Sequence, residues 1–276
     1  MIPEIPIDAD DRIQLYIDAI NEYGVFVVEN VLSNEKCEYY KTALDIVAKK
    51  ITEEVGEEKI ERALNYGDNS MRLMMRYHPA FIEILEIPIL VEVVDNLLSE
   101  QAILKFQHGF IRRANKHYND ANFTQRRFHM NSRQFHGPVM TSVDIGFFFD
   151  DEVSEDVPHF SVCPGSHRIG AVPKEELEGI EEPALYSKGS MFVFDSTLWH
   201  RETQNRSKKD SYGCFLQFTM PYIKQHIDLV RALGDDFVLA QQQRTRIFLG
   251  WDSRVPTSLE EFYVPTEERL YKSGQP

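Results

Sequence analysis

Cysteine is scarce in this chain. Only Cys37, Cys163 and Cys214 occur, far apart, which excludes a disulfide framework and a thiolate zinc site and points to a reducing, cytoplasmic compartment. No uninterrupted apolar stretch of membrane-spanning length exists, and the opening Met1-Ile2-Pro3-Glu4-Ile5-Pro6 lacks the basic start and apolar run of a secretion signal, so neither a membrane segment nor a targeting signal is expected. Positive charge is also in short supply. Thirty Lys and Arg against 44 Asp and Glu leave a net charge of -14, which repels phosphate backbones and anionic lipid, so nucleic acid and membrane are excluded as partners. Internal repeats, low-complexity tracts and linkers are absent as well. A single domain over 1–276 is the expectation, with a helical N-terminal part at 1–100, a β core at 101–222 and a helical extension at 223–276.

What is present is ample core material: 42% hydrophobic residues, with aromatics at 12%. Asp10 and Asp11 offer a cap for a helix with Ile13, Ile17 and Ile20 at helical spacing, stopped by Gly24, and Val25 to Val28 then reads as a buried strand. Ser33 caps a longer helix striped by Tyr40, Leu44, Val47 and Ile51 and closed by Gly56. A third helical region, Pro79 to Ser99, is broken at Pro88. From Ala102 the texture becomes β: Ile103 to Ile111, Val143 to Phe149, Phe160 to Cys163 and Met191 to Phe194 are β-branched and aromatic runs separated by turn residues. Helical periodicity returns beyond Pro221 through Ile227, Val230, Leu233, Phe237 and Leu239.

One local pattern carries chemistry. On a strand, residues two apart share a face, so His129 and Asn131 can converge on one point, and His200, after the apolar run that begins at Gly189, can complete a three-ligand face. Two imidazoles and one oxygen donor leave open positions on a metal, the arrangement that non-haem Fe(II) oxygenases use.

The surrounding segments resemble, in order and spacing, the phytanoyl-CoA dioxygenase family of Fe(II)/2-oxoglutarate enzymes over most of the chain. The family's His-x-Asp string corresponds to His129-Met130-Asn131-Ser132. An apolar strand ending in acids corresponds to Gly146 to Asp151, the PGSH turn to Pro164-Gly165-Ser166-His167, and the distal histidine and its N-R-S turn to His200 and Asn205-Arg206-Ser207. Gly24 to Val28 and Leu249-Gly250-Trp251 also look like family features. The resemblance implies a mainly β fold with flanking α-helices, a double-stranded β-helix of the jelly-roll, cupin-like kind. It also implies a metal held by His129, Asn131 and His200, with Fe(II) and 2-oxoglutarate as cofactors. His167 would then be structural.

The sequence departs from the family at two positions. Asn131 stands where the family has an aspartate and offers only a neutral amide oxygen, which weakens Fe(II) binding. Ser211 stands eleven residues after His200, where the family has the arginine that grips 2-oxoglutarate. Arg127, on the same strand face as His129, is the candidate replacement anchor alongside Ser211. Lys208 and Lys209 reach the site only if the strand register slips, and Arg112 and Arg113 are weaker candidates.

Among the remaining residues, His78, His108, His117 and His226 carry no functional expectation, whereas His136 lines the substrate mouth or is structural and His159 points toward the pocket. Asp144, Asp150, Asp151 and Asp195 could each in principle replace the missing carboxylate, but none of them is two residues from a histidine. The expected activity is hydroxylation or a related C–H oxidation of a small, largely apolar metabolite. The alternatives are a non-catalytic subunit that keeps the fold, or a non-oxidative isomerase or cyclase. A small molecule is the expected substrate, and a homodimer or a heterodimer with an active relative is the expected assembly.

Overall fold

A computed structural model describes residues 1–64, 71–114, 127–132, 137, 139–151, 160–202 and 207–269. His117, His136, His159, Asn205 and Arg206 lie outside the described residues.

The strands, in chain order, are β1 (Glu4–Ile5), β2 (Val25–Val28), β3 (Met71–Arg72), β4 (Ile103–Arg112), β5 (Ser142–Phe148), β6 (Phe160–Val162), β7 (Glu182–Ala184), β8 (Met191–Asp195), β9 (His200–Glu202) and β10 (Ser211–Thr219). Seven form one sheet in the order β1-β2-β8-β5-β10-β4-β3, and β7-β6-β9 form a second. Among the described residues these sheets do not close into a barrel; they are the two leaves of an open, double-stranded β-helix. Nearly all pairings are antiparallel, β1–β2 being parallel.

Alternation along β5 explains the layers. Its residues Ser142 to Phe148 are all buried, because both faces are covered. Val143, Ile145 and Phe147 join the cluster shared with the helices, while Phe148 faces the other way, into a cluster with Val25, Val27, Phe110, Phe192, Phe194 and Phe215 of the large sheet and Phe160, Val162 and Ala184 of the small one. The second cluster is the lining between the leaves.

The helices cover the outer face. The first two are α1 (Arg12–Tyr23) and α2 (Asn34–Val55). Ser33 caps α2 through its hydroxyl, which accepts from the Lys36 amide at 3.2 Å, and Tyr40, Leu44 and Val47 are buried as the spacing indicates. In α1 the buried face is Tyr16, Ala19 and Ile20, so the stripe is rotated from the one drawn through Ile13, which is exposed. Tyr16 stacks on Phe26 of β2, and that aromatic contact outweighs the aliphatic spacing. Pro88 sits in the first turn of a helix over Pro88–Leu97, where its missing N–H costs nothing. The C-terminal helices Leu229–Leu233, Asp235–Leu239 and Gln243–Leu249 contribute Leu229, Val238, Phe248 and Leu249 to the outer cluster. No helix among the described residues is long and apolar enough to cross a membrane.

Candidate functional site

His129 and His200 meet in an antiparallel bridge that joins the 127–132 segment to β9. Each donates its backbone N–H to the other's carbonyl, at 2.9 and 3.0 Å, and the ring centroids are 4.3 Å apart. The sequence placed His129 and Asn131 on a strand; the structure has this single bridge followed by a bend at Asn131 and Ser132. The bend is held because the Ser132 amide donates to the Ser196 carbonyl at 2.8 Å.

Several contacts fix the approach to His200. The Asp195 carboxylate accepts from the Thr197 amide at 2.7 Å and its hydroxyl at 2.6 Å, which spends this acid on the turn. The Trp199 amide donates to Ser166 Oγ at 3.0 Å, and the indole N–H donates to the Gly170 carbonyl at 3.1 Å. The Pro164-Gly165-Ser166-His167 turn therefore supports the segment that delivers His200. His167 itself bonds through Nε2 to the Asn21 carbonyl at 3.2 Å, a structural role.

The two imidazoles are prepared in the same way. His129 Nδ1 lies 2.9 Å from the Arg127 carbonyl and His200 Nδ1 lies 2.8 Å from that of Leu198. A carbonyl only accepts, so each Nδ1 carries the hydrogen, and in the neutral ring the lone pair is on Nε2. Burial holds the His200 ring well below the usual histidine range, assisted by the neighbouring His129 and opposed by the Leu198 carbonyl. Phe160 and Phe194 flank the His200 ring at 4.8 and 5.1 Å and keep water from it.

One of the four acids named from the sequence is the centre of a buried polar group. Asp144, in the middle of β5, is fully buried. Its Oδ2 accepts from Ser196 Oγ at 2.5 Å and from Gln217 Nε2 at 3.1 Å, and that amide also lies 2.9 Å from Ser196 Oγ. The Asn131 side chain acts on the same carboxylate as a further donor. Asp144 Oδ1 has no partner of regular hydrogen-bond geometry. Burial pushes the Asp144 carboxyl up to about 7, against the pull of the three donors and the Lys105 charge.

The other expected anchors separate. Arg127 is exposed, and it contributes its carbonyl to His129. Ser211 is buried at the start of β10, directly opposite Arg112 of β4. Arg112 is buried over the Phe110 ring, 4.3 Å from its centroid, and donates from Nη2 to Glu202, two residues beyond His200, at 2.8 Å. A buried guanidinium thus stands one strand away from the place where the family resemblance asks for one. Period-2 spacing along β4 gave Arg112 no distinction; only the β4–β10 register sets it beside Ser211. Asp150 is taken up by Lys41 at 2.7 Å and the Tyr212 amide at 3.0 Å, and Asp151 by the Lys188 amide at 2.9 Å.

Among the described residues no group of three or more histidine, cysteine or carboxylate side chains is placed to hold a metal. Two imidazoles with available Nε2 lone pairs and the Asn131 amide oxygen are nevertheless a donor set that fits a divalent iron, with a neutral oxygen in place of an anionic one.

Comparison with known proteins adds the family. The sequence profile of the phytanoyl-CoA dioxygenase (PhyH) family matches residues 20–211. The uncharacterized proteins Rv1501 of Mycobacterium tuberculosis and Mb1539 of Mycobacterium bovis are each 40% identical over 276 residues, covering 100% of both chains. Among solved structures, the non-heme monooxygenase ThoJ in its apo form matches with a TM-score of 0.59 at 16% identity, covering 77% of this chain and 80% of that one, a likeness of fold.

Proposed function

Since the chain belongs to the phytanoyl-CoA dioxygenase family, we propose that it is a non-haem iron(II) oxygenase that oxidises a C–H bond of a small, largely apolar molecule. The observation that carries this reading is the matched pair of imidazoles, each with Nδ1 tied to a carbonyl two residues before it, so that both Nε2 atoms are ligands in waiting. His129, His200 and the Asn131 amide would hold the metal. Iron(II) bound there supplies the redox chemistry toward dioxygen that protein side chains lack.

The residues of the chain do the rest. Phe160, Phe194, Phe192, Phe148 and Phe215 pack between the leaves and make the surroundings of His200 apolar, which favours a hydrocarbon-like substrate there and excludes water. Arg112 beside Ser211 offers a guanidinium and a hydroxyl to the far carboxylate of a 2-oxo acid, in the role that Ser211 and Arg127 were expected to fill. Glu202 takes one edge of that guanidinium, so an altered co-substrate anchor forms part of the proposal. The 276 residues act as one domain, a reading supported by an outer core that runs from Ile5 to Leu249.

Anaerobic Fe(II) titration with and without 2-oxoglutarate tests this. The expected result is a visible metal-to-ligand charge-transfer band that needs both components. Iron uptake without that band favours a non-oxidative metal isomerase or cyclase. Failure to take up micromolar Fe(II) leaves a binding subunit that keeps the fold, the alternative that the neutral Asn131 favours.

A further inference from the structure

The β4–β10 register slips once. Gln217 faces Phe106 and Phe218 faces Leu104, so Lys105 is the extra residue of a β-bulge, a device that re-aims side chains. Leu104 joins the outer core, whereas Phe106, two residues on, packs beside His108, whose ring meets Phe110 and Phe215 between the leaves. At the bulge lies a cavity of about 70 Å³. Leu73, Met75 and Phe106 give it apolar walls, and Arg72, Lys105 and His226 border it. In a chain with a net charge of -14, two fixed cations and an imidazole around one apolar cavity are a local exception. Each basic group is held in place. The β3–β4 register sets Arg72 opposite His108, Arg72 Nη1 donates to His108 Nδ1 at 3.3 Å, and the guanidinium lies 4.8 Å from the Phe106 ring centroid. His226 stacks on the same ring at 5.0 Å. Its segment is pinned to the bulge, because Gln225 donates to the Leu104 carbonyl at 2.7 Å and the His226 amide to the Lys105 carbonyl at 3.0 Å. Leu73, next to Arg72, has φ at 53°, a left-handed conformation that such a residue keeps only where the surrounding structure imposes it.

The cavity is too small for a whole ligand and suits one end of one. A planar guanidinium fixed beside an aromatic ring is built for a carboxylate attached to carbon, since its fork matches the two oxygens while the ring covers the carbon next to them. A single aromatic layer leads on from there. Ring centroids follow one another from Phe106 to His108 at 5.5 Å, to Phe215 at 5.5 Å, to Phe160 at 5.6 Å and to His200 at 4.8 Å. We propose that this cavity takes the carboxylate end of the molecule whose C–H bond is oxidised. Arg72 grips the carboxylate, Lys105 adds its charge, and the carbon body lies on Phe106 and extends along the aromatic layer toward His200. The substrate class is thus an apolar monocarboxylic acid and not a neutral hydrocarbon. That role rests on the iron oxygenase reading, whereas binding of the acid does not.

The test is calorimetry of the full chain with 4-cyclohexylbutanoate and with its uncharged amide as probes. The acid binds, and the amide binds about 10- to 100-fold more weakly, the range expected for hydrogen bonds to a charged group. Arg72→Met, which keeps the length of the side chain and removes its charge, lowers the affinity for the acid by a similar factor and leaves that for the amide within about twofold. Equal affinities for acid and amide overturn the proposal, as does an Arg72→Met variant that binds the acid as the wild type does. Should Arg72→Met not fold, the wild-type chain labelled with 13C at its methionine methyls provides the second measurement. The Met75 resonance, assigned through Met75→Leu, shifts with the acid, and binding without that shift places the acid elsewhere. With Co(II) bound, the ring protons of the acid relax faster than the methylene beside its carboxylate, and the reverse order overturns the proposed direction. An Arg72→Met variant that keeps the acid but loses the 2-oxoglutarate-dependent absorption band makes the cavity the co-substrate anchor and overturns the proposal. Wild type that takes up no metal overturns the oxygenase reading and the substrate role with it, whereas wild type that takes up metal but not the acid overturns this inference alone.

Discussion

Arg112 stands directly across the β4–β10 ladder from Ser211, with its guanidinium buried and paired to Glu202 at 2.8 Å. The pair joins the large sheet to β9, the strand that His200 opens. Arg112→Gln leaves the half-buried Glu202 without this cation and is expected to cost about 2–3 kcal/mol of stability. The double change Arg112→Met with Glu202→Met removes both charges and returns most of that loss. Urea unfolding of Arg112→Gln, Glu202→Met and the double variant checks the ordering. A double variant less stable than both singles contradicts it. If Arg112 anchors a 2-oxo acid, the single variant also loses the 2-oxoglutarate-dependent absorption band.

Loss of either imidazole is expected to abolish the metal response. A divalent metal at about 100 times its dissociation constant stabilises the wild type by about 2.7 kcal/mol. This appears as a rise in Tm with Fe(II) or Co(II) that chelation reverses. His129→Ala and His200→Ala show no such rise. A metal-dependent shift that persists in both variants places the metal elsewhere.

Gly24 ends α1 with φ at 76° and opens β2. A Cβ there would overlap the His167 ring and Leu198, and both neighbours belong to the scaffold behind His200. Gly24→Ala is therefore expected to cost at least about 2 kcal/mol, combining left-handed strain with overpacking. It should also weaken metal binding by displacing the Leu198 carbonyl from His200. Chemical denaturation and Co(II) titration read the two effects separately.

Burial drives the His108 ring well below the usual histidine value, with the charges of Arg72 and Arg112 adding to the shift. The native state then binds fewer protons than the unfolded chain at acid pH. Stability attributable to this residue is complete above the ordinary histidine value of about 6.5 and falls as pH drops below it, by up to about 1.4 kcal/mol per pH unit. Replacing the ring with a group that does not titrate, His108→Gln, flattens this acid limb by one proton. An unchanged slope of unfolding free energy between about pH 6.5 and 5 refutes it.

The sequence by itself determined much of the order of elements and several of their ends: Ser33 as a cap, Gly24 as a stop, Pro88 as a break in the third helical region, and the β runs from Ile103 to Phe194. These depend on local backbone chemistry and on apolar periodicity, which a linear string displays. It also singled out His129 and His200 and marked Asn131 and Ser211 as departures. What only the tertiary structure decided is what surrounds the residues near those departures. Asp144 reads as one acid in a buried strand until the β5–β10 register and the turn at Ser196 bring Gln217 and Ser196 onto its carboxylate. Arg112 reads as a strand-end cation until it lies across from Ser211 with Glu202 on its guanidinium. Both pairings join residues from different strands, Asp144 with Gln217 and Arg112 with Ser211. Such contacts are set by strand pairing and burial, and no local spacing in the chain encodes them.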